Sequence, residues 1–280
     1  MYKKILAAVN EQVNSEVSAR YAMHLAGAAG ARLYLCSVAE PDLPDNRFEL
    51  AKAAARRLAL RAQETGIEAE CLFSKGDPAR KIGEIVRMGG IDLVFAATRR
   101  EDVQKRFYAG TTARKLSVSL PCAVALVRVV HLGRIHPKEI FVPLKARLTH
   151  IPERAYFTAM LARAFDASVY LFHTTKPIKK FFHGEVPLTP VEWEKKIPAD
   201  ISLFINLLDR RGVAHEKGHT TGAEGRSITI EAAVRRSDLI IMGASTRSLV
   251  SSLFRGNPVE RVLRETPCNL IILKPGHEDT

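Results

Sequence analysis

Several strings recur along this chain at nearly fixed separations, and a repeat of this kind restricts the fold to two copies of one structural unit. ARLYLCSVAEP from Ala31 returns as ASVYLFHTTKP from Ala167, 136 residues later. GIEAECLFSKGDPAR from Gly66 matches GVAHEKGHTTGAEGR from Gly212, and IDLVFAA around Asp92 matches SDLIIMG around Asp238, both at a spacing of 146. SLPCAVALV and ETPCNLIIL, aligned on Pro121 and Pro267, keep that longer spacing. The step from 136 to 146 means that ten extra residues enter copy two between its second and third strands. They fall around KPIKKFFHGEVPLTP, which reads as an inserted loop.

Within each copy, short β-rich runs alternate with segments of helical period. Copy one should form strands at about Lys4 to Val9, Arg32 to Val38, Glu68 to Ser74, Leu93 to Ala96 and Ala123 to Val129. Copy two should form them at Glu139 to Leu144, Ser168 to His173, Ala214 to His219, Leu239 to Met242 and Asn269 to Leu273. Val17, Tyr21 and Leu25 share one helix face, as do Leu50, Ala54 and Leu58. Near-continuous apolar strands joined by helices imply parallel sheets covered on both sides. The expected fold is therefore α/β: two tandem doubly wound, Rossmann-like domains, each a five-stranded parallel sheet with helices on both faces. Their boundaries are expected at 1–132 and 137–276, with VVHLGRIHP as the junction. Pro198 should delay or break the second helix of copy two.

Composition excludes some classes. The apolar runs, such as AVALV before Arg128 and LIIM before Gly243, fall far short of the ~18 residues that cross a bilayer. No membrane-embedded segment is expected, and MYKKILAAVN reads as a first strand rather than a signal peptide. Cys36, Cys71, Cys122 and Cys268 form no CxxC pair or zinc pattern, which points to reduced, mostly buried thiols and a cytoplasmic setting. The formal net charge of +12 favours anionic partners at long range. The basic residues, among them Arg56, Arg57, Arg61, Arg163, Arg210, Arg211, Arg235 and Arg236, are scattered over helices rather than interleaved with aromatics. That pattern fits solvated faces and argues against a nucleic-acid groove. His215 and His219 are four apart on an expected strand, the wrong element for a zinc pair. His24 is expected to be a partly buried helix residue with no role of its own.

In open doubly wound sheets, ligands sit outside the carboxyl ends of the strands, where the strand order reverses. The segments after the first and fourth strands are thus the ones to inspect. After the fourth strand, copy two reads GASTRSLVSSLFRGNPVERVL from Gly243, and copy one reads ATRREDVQKRFYAGTTARKL from Ala97. Gly256 would let backbone approach an anion, with free N–H groups at the start of the following helix pointing at it. Asn257, Pro258 and Glu260 equally make a good helix start, as cap, first-turn proline and capping-box partner. Thr111 or Thr112 would cap the corresponding helix of copy one. Arg99, Arg100, Lys105 and Arg106 crowd the copy-one loop, where phosphate contact and plain solvation both remain open.

This pattern resembles the universal stress protein family over essentially the whole chain, as two tandem domains. In that family the fourth strand is followed by Gly, two residues, Gly, nine residues, Gly, then Ser or Thr. Copy two gives Gly243, Thr246 for the second glycine, Gly256, and Asn257 for Ser/Thr. Copy one gives Ala97 and Arg100 for the early glycines, then an intact Gly110 and Thr111. The acidic residue that ends the first strand in nucleotide-binding members is replaced by Asn10 in copy one and Lys145 in copy two. An amide can still accept a hydrogen bond, whereas Lys145 cannot and either acts on phosphate or marks a lost site.

The resemblance implies a non-catalytic stress-response or regulatory protein whose two copies form an intramolecular pseudo-dimer. It implies an adenine nucleotide, ATP or AMP, held in copy two with Gly243, Ser245, Thr246, Gly256 and Asn257 around the phosphates, and no required metal. The alternative is an interaction module with decayed nucleotide sites, acting on a protein such as a membrane transporter or on a second copy of itself. GNPVERVLRETPC resembles the form seen in stress-protein domains that act on transporters. An adenylate-forming enzyme would need an HxGH-type or SGGxDS-type phosphate loop, and neither string occurs.

Overall fold

Each apolar run named above forms a strand within two residues of its expected bounds in the computed structural model, which describes residues 1–98, 111–175, 197–221, 224–244 and 258–276. Copy one runs β1 (Lys4–Ala8), α1 (Val13–Ala29), β2 (Arg32–Ala39), α2 (Asp45–Glu64), β3 (Ala69–Lys75), α3 (Pro78–Gly89), β4 (Leu93–Ala97), α4 (Thr112–Ser119) and β5 (Ala123–Arg128). Copy two runs β6 (Glu139–Leu144), α5 (Ile151–Phe165), β7 (Ser168–Thr175), α6 (Ala199–Asp209), β8 (His215–Thr221), α7 (Glu224–Val234), β9 (Leu239–Gly243), α8 (Pro258–Glu265) and β10 (Asn269–Lys274). The inserted segment lies outside the described residues. Pro198 occupies the N-cap position of α6, so it delays that helix as expected.

Local signals in the sequence set the helix ends. Gly30 adopts φ 62° and folds its N–H back onto Ala26 and Gly27, closing α1. Asp77 opens α3 by accepting the Arg80 N–H, with Pro78 in the first turn. One expected face was wrong. Leu50 is 61% exposed, and Phe48, Ala51 and Ala55 turn inward beside Ala54 and Leu58. In so alanine-rich a helix the apolar period is ambiguous, and the large Phe48 decides which face is buried.

The ten strands form one sheet in the order β3-β2-β1-β4-β5-β10-β9-β6-β7-β8. Neighbours within each copy are parallel, and β5 meets β10 antiparallel, pairing Arg128 with Leu270 and Val124 with Lys274. The two five-stranded units thus share an edge and make one mixed sheet. Residues on β10 alternate between its sides: Ile271 and Leu273 join the core under α1, α2, α5 and α6, while Leu270 and Ile272 join the core under α3, α4, α7 and α8. The first core is continuous across the copies. Phe157 of α5 stacks on Phe95 of β4 at 6.0 Å, and Tyr21 of α1 meets Phe165 edge-on at 5.9 Å.

Polar groups lock the junction. Lys274, 2% exposed, donates to the carbonyls of Leu120 and Cys122, both at 2.8 Å, just past the end of α4. Arg128, its counterpart at the 146-residue spacing, donates to the Leu263 carbonyl of α8 at 3.2 Å. Each copy therefore places a cation at the negative end of the other copy's last helix. Asn269 is fully buried and fastens the connecting segment. Its Oδ1 accepts the N–H groups of Val130 and His131, and its Nδ2 donates to Tyr21 Oη, His131 O and Arg134 O.

The repeated aspartates also have a structural role. Asp92 accepts the N–H groups of Lys3 and Lys4 at 2.7 and 2.8 Å, and Asp238 accepts those of Lys138 and Glu139 at 2.9 and 3.2 Å. They secure the starts of the two central strands, β1 and β6. Cys36 and Cys268 are buried, Cys71 and Cys122 are half-buried, and all four are free thiols. Burial pushes the Cys36 and Cys268 thiols up to about 12 and the Cys122 thiol up to about 11.

Candidate functional site

The strand order reverses between β1 and β4 in copy one and between β6 and β9 in copy two. A ligand is expected at the carboxyl ends of these pairs. Asn10 lies just beyond β1, but its amide oxygen accepts the Gln12 N–H at 3.0 Å. Ser15 completes the turn, its hydroxyl bonding to the N–H and carbonyl of Asn10 and the carbonyl of Gln12. The side chain of Asn10 thus organises the entry to α1. Beyond β4, Thr98 is buried, and its N–H donates to Val127 at 2.9 Å. Thr111 caps α4 by accepting the Arg114 N–H at 3.3 Å.

In copy two, Lys145 follows β6 and is exposed. Gly243 ends β9, paired with Leu273. Pro258 is the first residue of α8, where a first-turn proline was expected. Ser245, Thr246, Gly256, Asn257 and Gly110 lie outside the described residues, as do Arg99, Arg100, Lys105 and Arg106.

Gly243 makes an approach that the sequence pattern did not suggest. A Cβ built on it would lie 2.3 Å from the Cζ, Nε and Nη2 atoms of Arg154. The guanidinium of Arg154 therefore rests on the backbone at the end of β9, in space that any side chain at Gly243 would fill. It forms one wall of a small pocket with Thr158 of α5, Phe204 of α6, and Val142, Ile241 and Leu273 from the sheet. Burial pulls its pKa down to about 10, so it stays charged at neutral pH. Among the described residues no carboxylate lies within ion-pair distance of it. The adjacent Glu153 turns away, accepting from Tyr2 Oη at 3.0 Å and from the Gly276 N–H at 3.1 Å.

Copy one has different chemistry at the same place. At the 136-residue spacing Arg154 corresponds to Ser18, and at the 146-residue spacing Gly243 corresponds to Ala97. Ser18 is fully buried, and its hydroxyl has no hydrogen-bond partner. Where copy one has a small hydroxyl beside alanine, copy two has a guanidinium beside glycine. The sequence carried a signal for this: Arg154, itself partly buried, borders the stripe of α5 that buries Ile151, Ala155, Thr158 and Ala162. A basic residue bordering an apolar stripe departs from the solvated-face rule.

No group of three or more His, Cys, Asp and Glu side chains suited to a metal occurs among the described residues, His215 and His219 included. No described helix is long and apolar enough to cross a membrane.

The fold and its openings define a duplicated, doubly wound α/β protein of the kind that holds ligands at strand carboxyl ends. A sequence model of the universal stress protein family matches residues 1–128 and 153–274, and the chain belongs to that family as a tandem pair. The universal stress protein YxiE of Bacillus subtilis is 25% identical over 148 residues, covering 46% of this chain and all of its own. A universal stress protein of Archaeoglobus fulgidus superposes with a TM-score of 0.69 at 15% identity, covering 98% of this chain and 96% of its own. One from Pseudomonas aeruginosa gives a TM-score of 0.65 at 16% identity, over 98% and 94%. Both superpositions span the two copies, so the tandem architecture is shared.

Proposed function

We propose that this chain is a non-catalytic regulatory stress protein of the cytoplasm, built from domains 1–132 and 137–276, that binds an adenine nucleotide, ATP or AMP, in copy two. The observation that carries this reading is the charged guanidinium of Arg154 beside Gly243, at the carboxyl end of the central strands, with no carboxylate among the described residues within ion-pair distance. At the matching positions copy one carries the neutral Ser18 and Ala97, and the amide oxygen of Asn10 is committed to its own turn. The spacing of Gly243 and Gly256, and Lys145 in place of an acid, agree with an anionic ligand in copy two. Calorimetry of the purified chain with ATP, ADP and AMP tests this. Heat of binding is expected with at least one of them, and its loss is expected when Gly256 is replaced by Trp. Silence with all three at millimolar concentration sinks the reading.

A second reading, an interaction module that acts on a protein such as a membrane transporter, draws support from the occupied Asn10 turn and from Ala97. Silent calorimetry favours it.

A further inference from the structure

The sheet ends on β3 at one side and on β8 at the other. In β3, Glu70, Leu72 and Ser74 turn their backbone groups to β2, a phase fixed at either end by the bonds from Leu33 N–H to Glu68 O and from Gly76 N–H to Ala39 O. The N–H and C=O groups of Ala69, Cys71, Phe73 and Lys75 therefore face outward. Among the described residues, Gln63 of α2 donates to the Ala69 carbonyl at 3.1 Å, and the outward groups of Cys71 and Phe73 have no partner. Such an edge is a template for another strand.

The two edges differ in kind. At the 146-residue spacing Leu60, Cys71 and Phe73 correspond to Asn206, Lys217 and His219. On β8 the bond from Val169 N–H to Ala214 O likewise turns the backbone of Lys217 and His219 outward. Charged side chains on an outer strand, lysine above all, oppose pairing. Copy one has instead the apolar centre Cys71-Leu72-Phe73, with Phe73 37% exposed. Leu60, 61% exposed, lies on the same flank of α2 as Arg56, whose guanidinium covers the Phe73 ring, and Gln63, which reaches Ala69.

We propose that β3 is a docking edge for β3 of a second copy of this chain, paired antiparallel about a two-fold axis through Leu72. The strand is self-complementary in that register. Cys71 exchanges backbone bonds with Phe73 of the second copy, Leu72 meets its own mate, Glu70 faces Ser74, and Lys75 faces Ala69, so no like charges oppose each other. Because α2 packs on β2 and β3, the two α2 helices stand two strand spacings apart, about 10 Å, which is a helix-packing distance. Leu60 lines the seam between them. Association closes at two copies, since both remaining edges are β8 with Lys217.

This goes beyond the nucleotide reading and stands without it. The paired strands are short, so a dissociation constant of roughly micromolar order is expected. Sedimentation of the full chain without nucleotide, across the micromolar range, should show growth to twice the chain mass and no further. Two variants test the edge, each checked for folding by thermal unfolding, so that either suffices if the other fails to fold. Leu60→Asn with Phe73→His places the copy-two residues at two exposed positions, and Phe73→Pro removes an outward N–H without touching the β2 ladder. Each should weaken the dimer about five- to hundredfold. Amide exchange at Cys71 and Phe73 should slow in wild type as the dimer forms. A chain that stays monomeric, a dimer indifferent to both variants, growth past two copies, or a dimer whose Cys71 and Phe73 amides exchange as fast as in the monomer overturns the proposal.

Discussion

Replacing Lys274 by Met tests whether the two copies are held together by the cations that cross between them. Methionine keeps the length and apolar character of the stem and removes the ammonium. Two hydrogen bonds of 2.8 Å, to Leu120 O and Cys122 O, are lost, and both carbonyls remain near the end of α4 without this donor. Hydrogen bonds to a charged group contribute about 1.5–3 kcal/mol each, giving about 3–6 kcal/mol for the pair. Against this stands the cost of burying the ammonium in wild type, which lowers its pKa and is relieved on substitution. A net destabilisation of about 2–4 kcal/mol is expected after that relief. For chains somewhat smaller than this one, each kcal/mol moves Tm by about 2–4 °C, so a fall of about 4–16 °C should appear in scanning calorimetry. An unchanged or raised Tm would refute the reasoning, because the ammonium would then cost as much to bury as its bonds return.

Asn269→Leu should lower the urea midpoint by an amount equivalent to about 3 kcal/mol, since it strips acceptors from Val130 and His131 and a donor from three oxygens; a midpoint within error of wild type contradicts the clamp. His24 packs on Phe165 and His136, and burial, with help from His136, Arg61 and Arg20, holds its pKa down from 6.5 to about 4. Between those values the unfolded chain binds the extra proton, so its stabilising share is complete above pH 6.5 and drains away as pH falls toward 4. His24→Phe should flatten that part of the stability–pH curve, and an identical acid limb in both proteins would exclude His24 as its source.

The strands were legible because a sheet covered on both faces demands continuous apolar runs, and ten such runs punctuate the chain. The duplication was legible because the same demands recur in each copy. Leu50 was misplaced because neighbouring alanines fit either face of α2, and only packing against the sheet selects one. The aspartates at 92 and 238 advertised themselves by recurrence, but their task, securing β1 and β6, depends on strand neighbours far apart in sequence. Gly243 stood out by its spacing, and its neighbour was not foreseen, because the contact joins the end of β9 to the first helix of the copy. The reciprocal cations Arg128 and Lys274 acquire meaning only once β5 and β10 lie side by side.

That antiparallel seam has a further consequence. A symmetric dimer of identical chains must present two identical pockets, since rotation maps one onto the other. Covalent fusion frees the partners to diverge, so every molecule delivers one sheet end with arginine beside glycine and one with serine beside alanine, in fixed one-to-one proportion. Tethering also makes their association independent of cellular concentration. Dilution cannot separate the arginine-bearing half from the serine-bearing one, and no exchange of subunits can produce a molecule with two of either.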